Sequence, residues 1–256
     1  MEVTFLGTGT SQGVPMIGCR CEVCRSADVR DHRLRSSIMV ESDSVRVVVD
    51  TGPDFRYQML REGVCRLDAV LYTHEHKDHT GGMDDLRAFN YFQDAPADVY
   101  CSERTSRVLR KDFDYAFDTN PYPGVPRINI HTIDTEPFWV KNLRIQPISV
   151  LHFKLPILAF RFGTRGEFCY ITDTNAISEQ SMEAIRGCEV LVINALRQDS
   201  HLSHFSLAQA LDVVEQVAPQ RAYLTHSSHQ LGLYDRVQAE LPENVTLAYD
   251  QLKINV

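Results

Sequence analysis

No apolar run in the chain reaches the roughly 18 residues that a membrane-spanning helix requires. The sequence does not open with a basic segment followed by an apolar one, and residues 1–5 already show a strand pattern, so no signal peptide is expected. It also has no low-complexity tract and no repeat with a period of about 20 to 50 residues. These absences together favour a cytoplasmic protein without a membrane partner.

Positive charge is scarce, since 26 Lys and Arg residues are outnumbered by 34 Asp and Glu residues and the net charge is −8. Long nucleic acids bind to basic surfaces, so this balance counts against a tRNA-sized partner. A small anionic substrate is compatible with it, because metal cations in a site would dominate the local field.

The cysteines do not form a paired set. There are seven of them, an odd number, and three lie within residues 19–24. This pattern argues against a disulfide framework and for a reduced, cytoplasmic protein whose thiolates bind metal. Cys65, Cys101, Cys169 and Cys188 lie in or near apolar runs, as small core residues do.

The length of 256 residues, with 43% hydrophobic and 23% charged residues, predicts one globular domain over residues 1–256. Strand patterns occur at Glu2–Leu6, Ser37–Val40, Val45–Val49, Ala69–Tyr72, Asp98–Cys101, Arg127–His131, Leu143–Val150, Ile157–Phe162, Phe168–Ile171, Val190–Ile193, Arg221–Leu224 and Val245–Ala248. Helical patterns occur at Asp54–Glu62, Glu103–Asp112, Ser178–Arg186, Leu207–Val217 and Leu233–Leu241. This order predicts an α/β fold in which two mixed β-sheets pack face to face with helices outside.

One segment differs from the rest, because residues 113–126 are aromatic and rich in proline. Proline cannot donate a ladder hydrogen bond, so a central strand is excluded there. Either the segment is a surface loop with its aromatic side chains in the core, or it is a substrate lid or a dimer contact.

The strongest functional signal is the run THEHKDHTGG at residues 73–82, which directly follows an apolar strand pattern. Alternation along an extended chain points His74 and His76 to the same side. Asp78 and His79 come after a bend and face a neighbouring position. The run therefore predicts two adjacent metal ions, about 3.5–4 Å apart as in hydrolytic enzymes. The residues after His79 would allow a tight turn and a helix start beside the ions. The alternative, a solvated polar loop, fits a single His-X-His better than this longer pattern.

This run resembles the signature of the metallo-β-lactamase-fold hydrolases. Residues 5–15, FLGTGTSQGVP, are similar to the N-terminal motif of the phosphodiesterase branch of that superfamily. Strand 45–49 followed by Asp50-Thr51-Gly52 is similar to its first Asp motif. The pieces occur in order over nearly the whole chain. The resemblance implies a four-layer αβ/βα sandwich with metal ions at the edge between the two sheets.

The resemblance also implies the remaining ligands, because His152, Asp173 and His226 each follow an apolar strand in the order of the family's motifs. Taken singly, each is also compatible with an ordinary polar residue at a strand end. In the implied arrangement seven side chains hold two divalent ions, zinc or manganese. One ion takes His74, His76 and His152, the other takes Asp78, His79 and His226, and Asp173 bridges the two. The resemblance implies that Asp50 holds a ligand imidazole in position through a hydrogen bond. The alternative is that Asp50 is a turn-forming residue at a strand end.

A second metal site is predicted from the loop that contains Cys19, Cys21 and Cys24. A structural zinc ion needs four ligands, and His229, three residues after His226, is the candidate for the fourth. A Cys-X-Cys-X-X-Cys loop with a distant histidine resembles the structural zinc site of the bacterial phosphoribosyl cyclic phosphodiesterases of phosphonate degradation, the carbon–phosphorus lyase pathway. The alternative is three free thiols.

Two adjacent ions can share a hydroxide and take up the charge of a phosphodiester as the attack proceeds. The leaving alkoxide then needs a proton, and His201 and His204 lie in the right region of the sequence. His204 is preferred as general acid, because it precedes Ser206, the predicted cap of the next helix, and matches the position of the catalytic histidine in the phosphodiesterase branch. The predicted catalytic residues are thus His204 and Asp78, and an exchange of roles with His201 stays open. Arg197 either contacts phosphate or is a surface residue.

These patterns predict a dinuclear-metal phosphodiesterase for small, cyclic or nucleotide-like phosphodiesters. A tRNA 3′-processing endonuclease (RNase Z) shares the implied fold, but the basic arm usual in such enzymes has no counterpart, since residues 113–126 contain no Lys or Arg. A non-catalytic metal-binding protein, like the pyrroloquinoline quinone biosynthesis protein, is opposed by the complete ligand set and His204. β-Lactamase or thioesterase activity is the last alternative. The family and the aromatic segment also suggest a homodimer.

Overall fold

The structure is a computed structural model that describes residues 1–120 and 122–256. Its strands are β1 (Glu2–Gly7), β2 (Ser37–Ser42), β3 (Val45–Val49), β4 (Ala69–Leu71), β5 (Ala97–Cys101), β6 (Ile128–Thr132), β7 (Phe138–Val140), β8 (Leu143–His152), β9 (Leu155–Phe162), β10 (Phe168–Ile171), β11 (Val190–Asn194), β12 (Arg221–Thr225), β13 (Val245–Leu247) and β14 (Lys253–Asn255). Its α-helices are α1 (Phe55–Arg61), α2 (Lys77–Thr80), α3 (Arg87–Gln93), α4 (Glu103–Asp112), α5 (Glu179–Ile185), α6 (Leu207–Val217) and α7 (Tyr234–Glu240). Of the helices in the described ranges, none combines the length and apolar character that crossing a membrane requires.

The strands form two seven-stranded sheets with corresponding orders. The first runs β14-β1-β2-β3-β4-β5-β6 and the second runs β13-β12-β11-β10-β9-β8-β7. In the first sheet the pairs from β14 to β3 are antiparallel and those from β3 to β6 are parallel. In the second sheet the pairs from β7 to β10 are antiparallel and those from β10 to β13 are parallel. Both sheets are therefore mixed.

Strand β3 illustrates how the layers form, because successive side chains of a strand point to opposite faces of its sheet. Val47 belongs to the core between the two sheets, together with Phe160 of the second sheet. Val48 faces the other way and packs with Phe55 of α1 in a separate core. A third core lies between the second sheet and α5, α6 and α7. The predicted four-layer αβ/βα sandwich is confirmed.

The strands and the helix that were not predicted from the sequence are short or lack a clear pattern. Strands β7 and β14 have three residues each, which is too few to show alternation. Helix α3 exposes Tyr91 and Phe92 and so has no polar outer face that would mark it as a surface helix. Tyr72, predicted as strand, lies just beyond β4.

The turn and helix start expected after His79 are present: α2 (Lys77–Thr80) ends before the glycines, residues 81–82 form a turn, and a 3-10 helix (Met83–Leu86) follows and leads into α3. The glycines also allow close packing. A Cβ atom on Gly82 would lie 2.3 Å from the backbone oxygen of Gly52, so a larger residue would separate the metal-ligand run from the end of β3.

Serine side chains cap three helices at their N-termini. Ser102, Ser178 and Ser206 each accept a backbone N–H bond from the first turn of α4, α5 and α6. Ser206 also forms a capping box with Gln209, so its predicted role is confirmed. This cap fixes the point where the loop that carries His204 enters α6.

The aromatic segment packs partly against α2. Phe113 is buried, and the Nζ of Lys77 lies 5.3 Å from the centre of its ring. The hydroxyl of Tyr115 donates a 2.6 Å hydrogen bond to Asp84. Tyr122 is exposed, whereas Pro121 lies outside the described residues. Phe113 thus agrees with a surface loop whose aromatic side chains reach the core. The alternative roles of the segment, a substrate lid or a dimer contact, stay predictions.

Candidate metal centre

Polar side chains from both sheets meet at one edge of the sandwich. The first sheet contributes the residues after β4, and the second contributes the ends of β8, β10 and β12. Three imidazoles, those of His74, His76 and His152, form one group whose ligand atoms lie within 4.8 Å of one another. His74, His79 and Asp173 form another group of the same size. The remaining two predicted ligands adjoin these groups, since Asp78 lies 3.2 Å from the Nε2 of His79 and the Nε2 of His226 lies 3.2 Å from Asp173.

The backbone is strained at three points of this edge. Asp50, Asp173 and His226 have φ angles of 64°, 57° and 55°, in the left-handed region, and each lies within two residues of a strand end. Such a conformation costs a non-glycine residue of order 1 kcal/mol or more. It persists here because buried hydrogen bonds hold each side chain in place, and strain of this kind concentrates at functional sites.

Asp50 orients His79. The carboxylate is completely buried, and it accepts 2.9 Å hydrogen bonds from the backbone N–H and the hydroxyl of Thr73. Its Oδ2 lies 2.7 Å from the Nδ1 of His79. The Nε2 of His79 therefore faces the cluster, which is the geometry expected of a carboxylate that supports a metal ligand.

Other ligand imidazoles are held in the same way through Nδ1. The Nδ1 of His226 lies 3.0 Å from the hydroxyl of Ser36, and that of His152 lies 2.7 Å from the backbone oxygen of Asp173. The Nδ1 of His74 lies 2.9 Å from the hydroxyl of Thr73. Ser36 was not found from the sequence, because 190 positions separate it from its partner and no local pattern marks it.

The N-terminal motif supports the same loop. Ser227 donates a 2.9 Å backbone hydrogen bond to Thr8, and the hydroxyl of Ser36 donates one of 2.9 Å to the backbone oxygen of Gly9. A Cβ atom at Gly9 would lie 2.8 Å from the backbone oxygen of Arg33, so this approach requires glycine. The motif thus positions His226 rather than supplying ligands.

The chemistry of these side chains fits divalent metal ions. The Nε2 atoms of His79 and His226 are buried and lack a hydrogen-bond partner among the described residues. Both lie 3.2 Å from the carboxylate of Asp173, one from each oxygen. Buried polar atoms are almost always paired, so nitrogen lone pairs and carboxylates directed at a common point indicate a metal ion as the missing partner.

The electrostatics lead to the same conclusion. Burial disfavours a charged His79, yet the surrounding carboxylates, led by Asp173, raise its pKa well above the usual value. Despite its own burial, Asp173 has a pKa well below the usual value because His226 and His79 lie against it. Burial lowers the pKa of His226 to about 4, so its imidazole is neutral and able to ligate. The pocket favours positive charge among buried carboxylates, which a divalent cation supplies.

His204 lies at the metal centre and His201 lies behind it. The Nε2 of His204 is 3.3 Å from Asp173, and its side chain is 11% exposed. Its Nδ1 is 2.9 Å from the hydroxyl of Ser203 and 3.1 Å from the Nδ1 of His201. Arg197 is engaged within its own loop, where it donates a 2.7 Å hydrogen bond to the backbone oxygen of Ser200. The geometry thus agrees with the preference for His204 over His201 and gives Arg197 a loop contact.

The second predicted site also forms a compact group. The ligand atoms of Cys19, Cys21, Cys24 and His229 all lie within 4.8 Å of one another. The Nδ1 of His229 is 3.5 Å from the sulfur of Cys19 and 3.3 Å from that of Cys21. The backbone N–H of Cys24 lowers the pKa of the Cys21 thiol, whereas burial raises that of Cys24 to about 11. Three sulfurs and one imidazole at this spacing fit a four-ligand zinc site.

The expectation for the other cysteines is correct at three positions and wrong at one. Cys101, Cys169 and Cys188 are buried in the core, whereas Cys65 is exposed. Cys65 lies in the connection between α1 and β4, where Val64 and Leu67 take the positions that face the core.

Comparison with known proteins decides the family. The sequence profile of the β-lactamase superfamily domain matches residues 45–227. A crystal structure of a new diphosphatase from the PhnP family is 39% identical in sequence, with a TM-score of 0.92 over 99% of this chain and 96% of that one. The present chain belongs to the PhnP family of the metallo-β-lactamase superfamily. The superfamily predicted from the histidine-rich run is thereby confirmed.

Other members of the superfamily are more distant or longer. The zinc-bound structure of PqqB from Methylobacterium extorquens has a TM-score of 0.79 over 100% of both chains at 21% identity, which shows a shared fold. A protein of Porphyromonas gingivalis (strain W83) named octanoyltransferase is 38% identical over 99% of this chain and 51% of its own length. The PhnP-family chain described here thus spans about half the length of that relative.

The cysteine group allows a first test with a matched pair of substitutions. Replacing Cys21 by serine should remove one metal equivalent from this PhnP-family protein and lower its Tm by roughly 10 °C, because metal binding at such a site contributes directly to folding. Cys65→Ser, at the exposed cysteine outside the group, should change neither quantity. Elemental analysis and thermal unfolding measure both. Equal metal content and Tm in the two variants would refute the structural metal.

Proposed function

We propose that this protein hydrolyses small phosphodiesters with the help of two divalent metal ions. The proposal rests on one observation above all: the predicted ligands and His204 surround a single point at the edge between the sheets. Asp173 is central to this arrangement, because its carboxylate lies within 3.3 Å of the Nε2 atoms of His79, His204 and His226. An imidazole held beside a metal cluster has the position that a general acid needs.

When bound, divalent ions make water more acidic and stabilise the negative charge that develops at phosphorus. In the proposed arrangement His74, His76 and His152 would hold one ion, Asp78, His79 and His226 would hold the other, and Asp173 would serve both. Asp50 and Ser36 keep His79 and His226 in the orientation that ligation requires. Preformed support of this kind lowers the cost of reorganisation during the reaction.

His204 is proposed to protonate the leaving oxygen. For this both of its ring nitrogens must carry a proton, so that Nε2–H faces the centre and Nδ1–H donates a hydrogen bond to the hydroxyl oxygen of Ser203, 2.9 Å away. His201 contacts the same Nδ1 edge and so contributes to the orientation of His204. The proton then passes from Nε2 of His204 to the leaving alkoxide, which leaves His204 neutral. An acyclic diester gives an alcohol and a phosphate monoester, whereas a cyclic diester gives one ring-opened phosphate monoester.

The proposed substrate is a small molecule, with a cyclic phosphodiester as the favoured class. The net charge of −8 disfavours a long polyanion such as tRNA, whereas a single phosphate group can be attracted by the metal ions alone. The group formed by Cys19, Cys21, Cys24 and His229 supports the cyclic class through the resemblance noted above.

Hydrolysis of a diphosphate is the second candidate. It is favoured by the 39% identity to the PhnP-family structure described as a diphosphatase. The same centre suits this reaction, because a phosphate leaving group also departs with negative charge that metal ions and His204 can neutralise.

A substrate panel tests these proposals on the protein loaded with zinc or manganese. It contains bis-(p-nitrophenyl) phosphate, a cyclic ribose phosphodiester, a nucleoside diphosphate, a pre-tRNA and an octanoyl thioester, the last because of the name of the Porphyromonas gingivalis relative. Turnover of the first two substrates is expected. Turnover of the nucleoside diphosphate alone would replace the proposal by the second candidate, and clean cleavage of pre-tRNA or the thioester alone would contradict both.

A further inference from the structure

The turn that follows His152 has an unusual residue in a strained position. Strand β8 ends at His152 and β9 begins at Leu155, so the hairpin is closed by two residues, Phe153 and Lys154. The φ angle of Phe153 is 55°, in the left-handed region. Two-residue hairpin turns place glycine, asparagine or aspartate at such positions, because a bulky side chain is disfavoured there.

Packing does not account for the aromatic ring at this position. Phe153 is 43% exposed and is not part of any hydrophobic core cluster in the described part of the chain. The core therefore does not account for this strained aromatic residue, and strained residues concentrate at ligand-binding sites.

The location of Phe153 agrees with such a site. It is adjacent in sequence to His152, whose ring centre is 5.1 Å from that of His76 and 4.8 Å from that of His204. The backbone N–H of Phe153 donates to the side-chain oxygen of Asn175, which lies two residues beyond Asp173. The turn is therefore held by the same loop that carries the central carboxylate.

A second exposed apolar side chain lies in the loop that carries His204. Leu202 is 70% exposed, and its neighbour Ser203 approaches His152, with 3.1 Å between the backbone oxygen of Ser203 and the Nδ1 of the imidazole. In each of two loops, an exposed apolar residue is therefore adjacent in sequence to a residue at the metal centre. Phe153 follows the predicted ligand His152, and Leu202 precedes Ser203, which contacts His152.

Lys154 adds positive charge to the turn. Its Nζ lies 5.3 Å from the ring centre of Phe153, within the range of a cation–π contact. In a chain with a net charge of −8, a lysine beside the metal centre provides a local attraction for an anionic substrate.

We propose that Phe153 and Leu202 form a substrate-binding lip, which holds an aromatic ring of the substrate while its phosphate lies at the metal centre. The enzyme then favours phosphodiesters that carry a nucleobase or aryl group over those with a small alkyl group. This selectivity rests on the proposed phosphodiesterase function. In this proposal Phe153 stacks on the ring, Leu202 adds apolar contact, and Lys154 contributes to attraction of the phosphate.

Two substrates that differ only in the retained group test the lip. Phenyl p-nitrophenyl phosphate and methyl p-nitrophenyl phosphate release the same leaving group, so a difference in kcat/KM reports on recognition of the retained ring. The metal-loaded wild-type protein should prefer the phenyl ester by about tenfold, mostly through KM, as expected for one stacking contact. Phe153→Gly should reduce this ratio to about one, and Leu202→Ser should reduce it by a smaller factor.

Stability separates a binding role from a structural one. Phe153→Gly places glycine where the backbone favours it, so its Tm should equal or exceed that of the wild type. Ala218→Gly is the matched control, because Ala218 has a φ of 51° at the end of α6, away from the metal centre. This control should also keep or raise the Tm, and it should leave the preference for the phenyl ester unchanged.

If neither ester is hydrolysed, the phosphodiesterase function is rejected but the lip is not. Calorimetry then measures the binding of phenyl phosphate and methyl phosphate. The lip predicts that the wild type binds phenyl phosphate more tightly and that Phe153→Gly binds both equally. The lip is overturned if Phe153→Gly keeps the wild-type preference, or if the preference is lost together with a sharp fall in Tm, which would show a structural role.

Discussion

Replacing Asp173 by asparagine is expected to abolish hydrolysis of phosphodiesters, with a loss of roughly a thousandfold or more. Asparagine has the same shape but carries no charge, and its amide nitrogen cannot ligate a cation. The substitution removes the carboxylate that lies 3.2 Å from the Nε2 atoms of both His79 and His226. Metal ions contribute several kcal/mol to transition-state stabilisation, and about 4 kcal/mol corresponds to a factor of roughly a thousand in rate.

Metal analysis accompanies the rate measurement. Asp173→Asn should lose the ions of the centre and retain the ion bound by Cys19, Cys21, Cys24 and His229, which lie outside the substitution. Asp98→Asn is the matched control, because Asp98 is a half-exposed carboxylate of β5 that contacts His131 rather than the centre. It should keep full metal content and activity. Full activity in Asp173→Asn would rule out a bridging carboxylate at this position.

Replacing His204 by alanine is expected to slow hydrolysis of alkyl phosphodiesters by about a hundredfold or more, as general acids contribute roughly 10²–10⁴-fold. The effect should depend on the leaving group. An alkoxide cannot leave without a proton, whereas p-nitrophenolate departs readily as an anion. The loss should therefore be large for an alkyl ester and small for bis-(p-nitrophenyl) phosphate, and the steady-state rates of both esters are the measurement.

The metal content distinguishes an acid from a ligand at this position. The structure groups His204 with His152 and Asp173, within 4.8 Å, so a ligand role is a real alternative. As a general acid, His204 can be replaced without loss of metal. His131→Ala serves as the control, because His131 is a half-exposed histidine on β6, outside the centre. Loss of metal in His204→Ala, with equal slowing of both esters, would contradict the acid role.

Local patterns in the sequence account for the parts of the site that lie close together in the chain. The run at residues 73–82 follows an apolar strand. Its alternation predicted that His74 and His76 point to one position, and its bend predicted that Asp78 and His79 face a neighbouring one. The three cysteines at residues 19–24 indicated a metal site for the same reason. In each case the spacing along the backbone already limits the distance between the side chains.

Contacts between distant segments required more than local pattern. His152, Asp173 and His226 were assigned from the order of family motifs, since each alone is an ordinary polar residue after a strand. Ser36 was missed, because nothing near residue 36 indicates that it holds an imidazole 190 positions away. The short strands β7 and β14 and helix α3 were missed because their patterns are too brief or too uniformly apolar on the surface.

What the sequence alone determined is the set of elements, their alternating apolar faces and the residue types available at the ends of the strands. Those features follow from periodicity and from the order of residues along the backbone. Only the tertiary structure decided which imidazole nitrogen faces the centre, that His204 lies closer to it than His201, and that a strained Phe153 adjoins it. These properties depend on hydrogen bonds and backbone angles between segments far apart in the chain, and no local pattern specifies them.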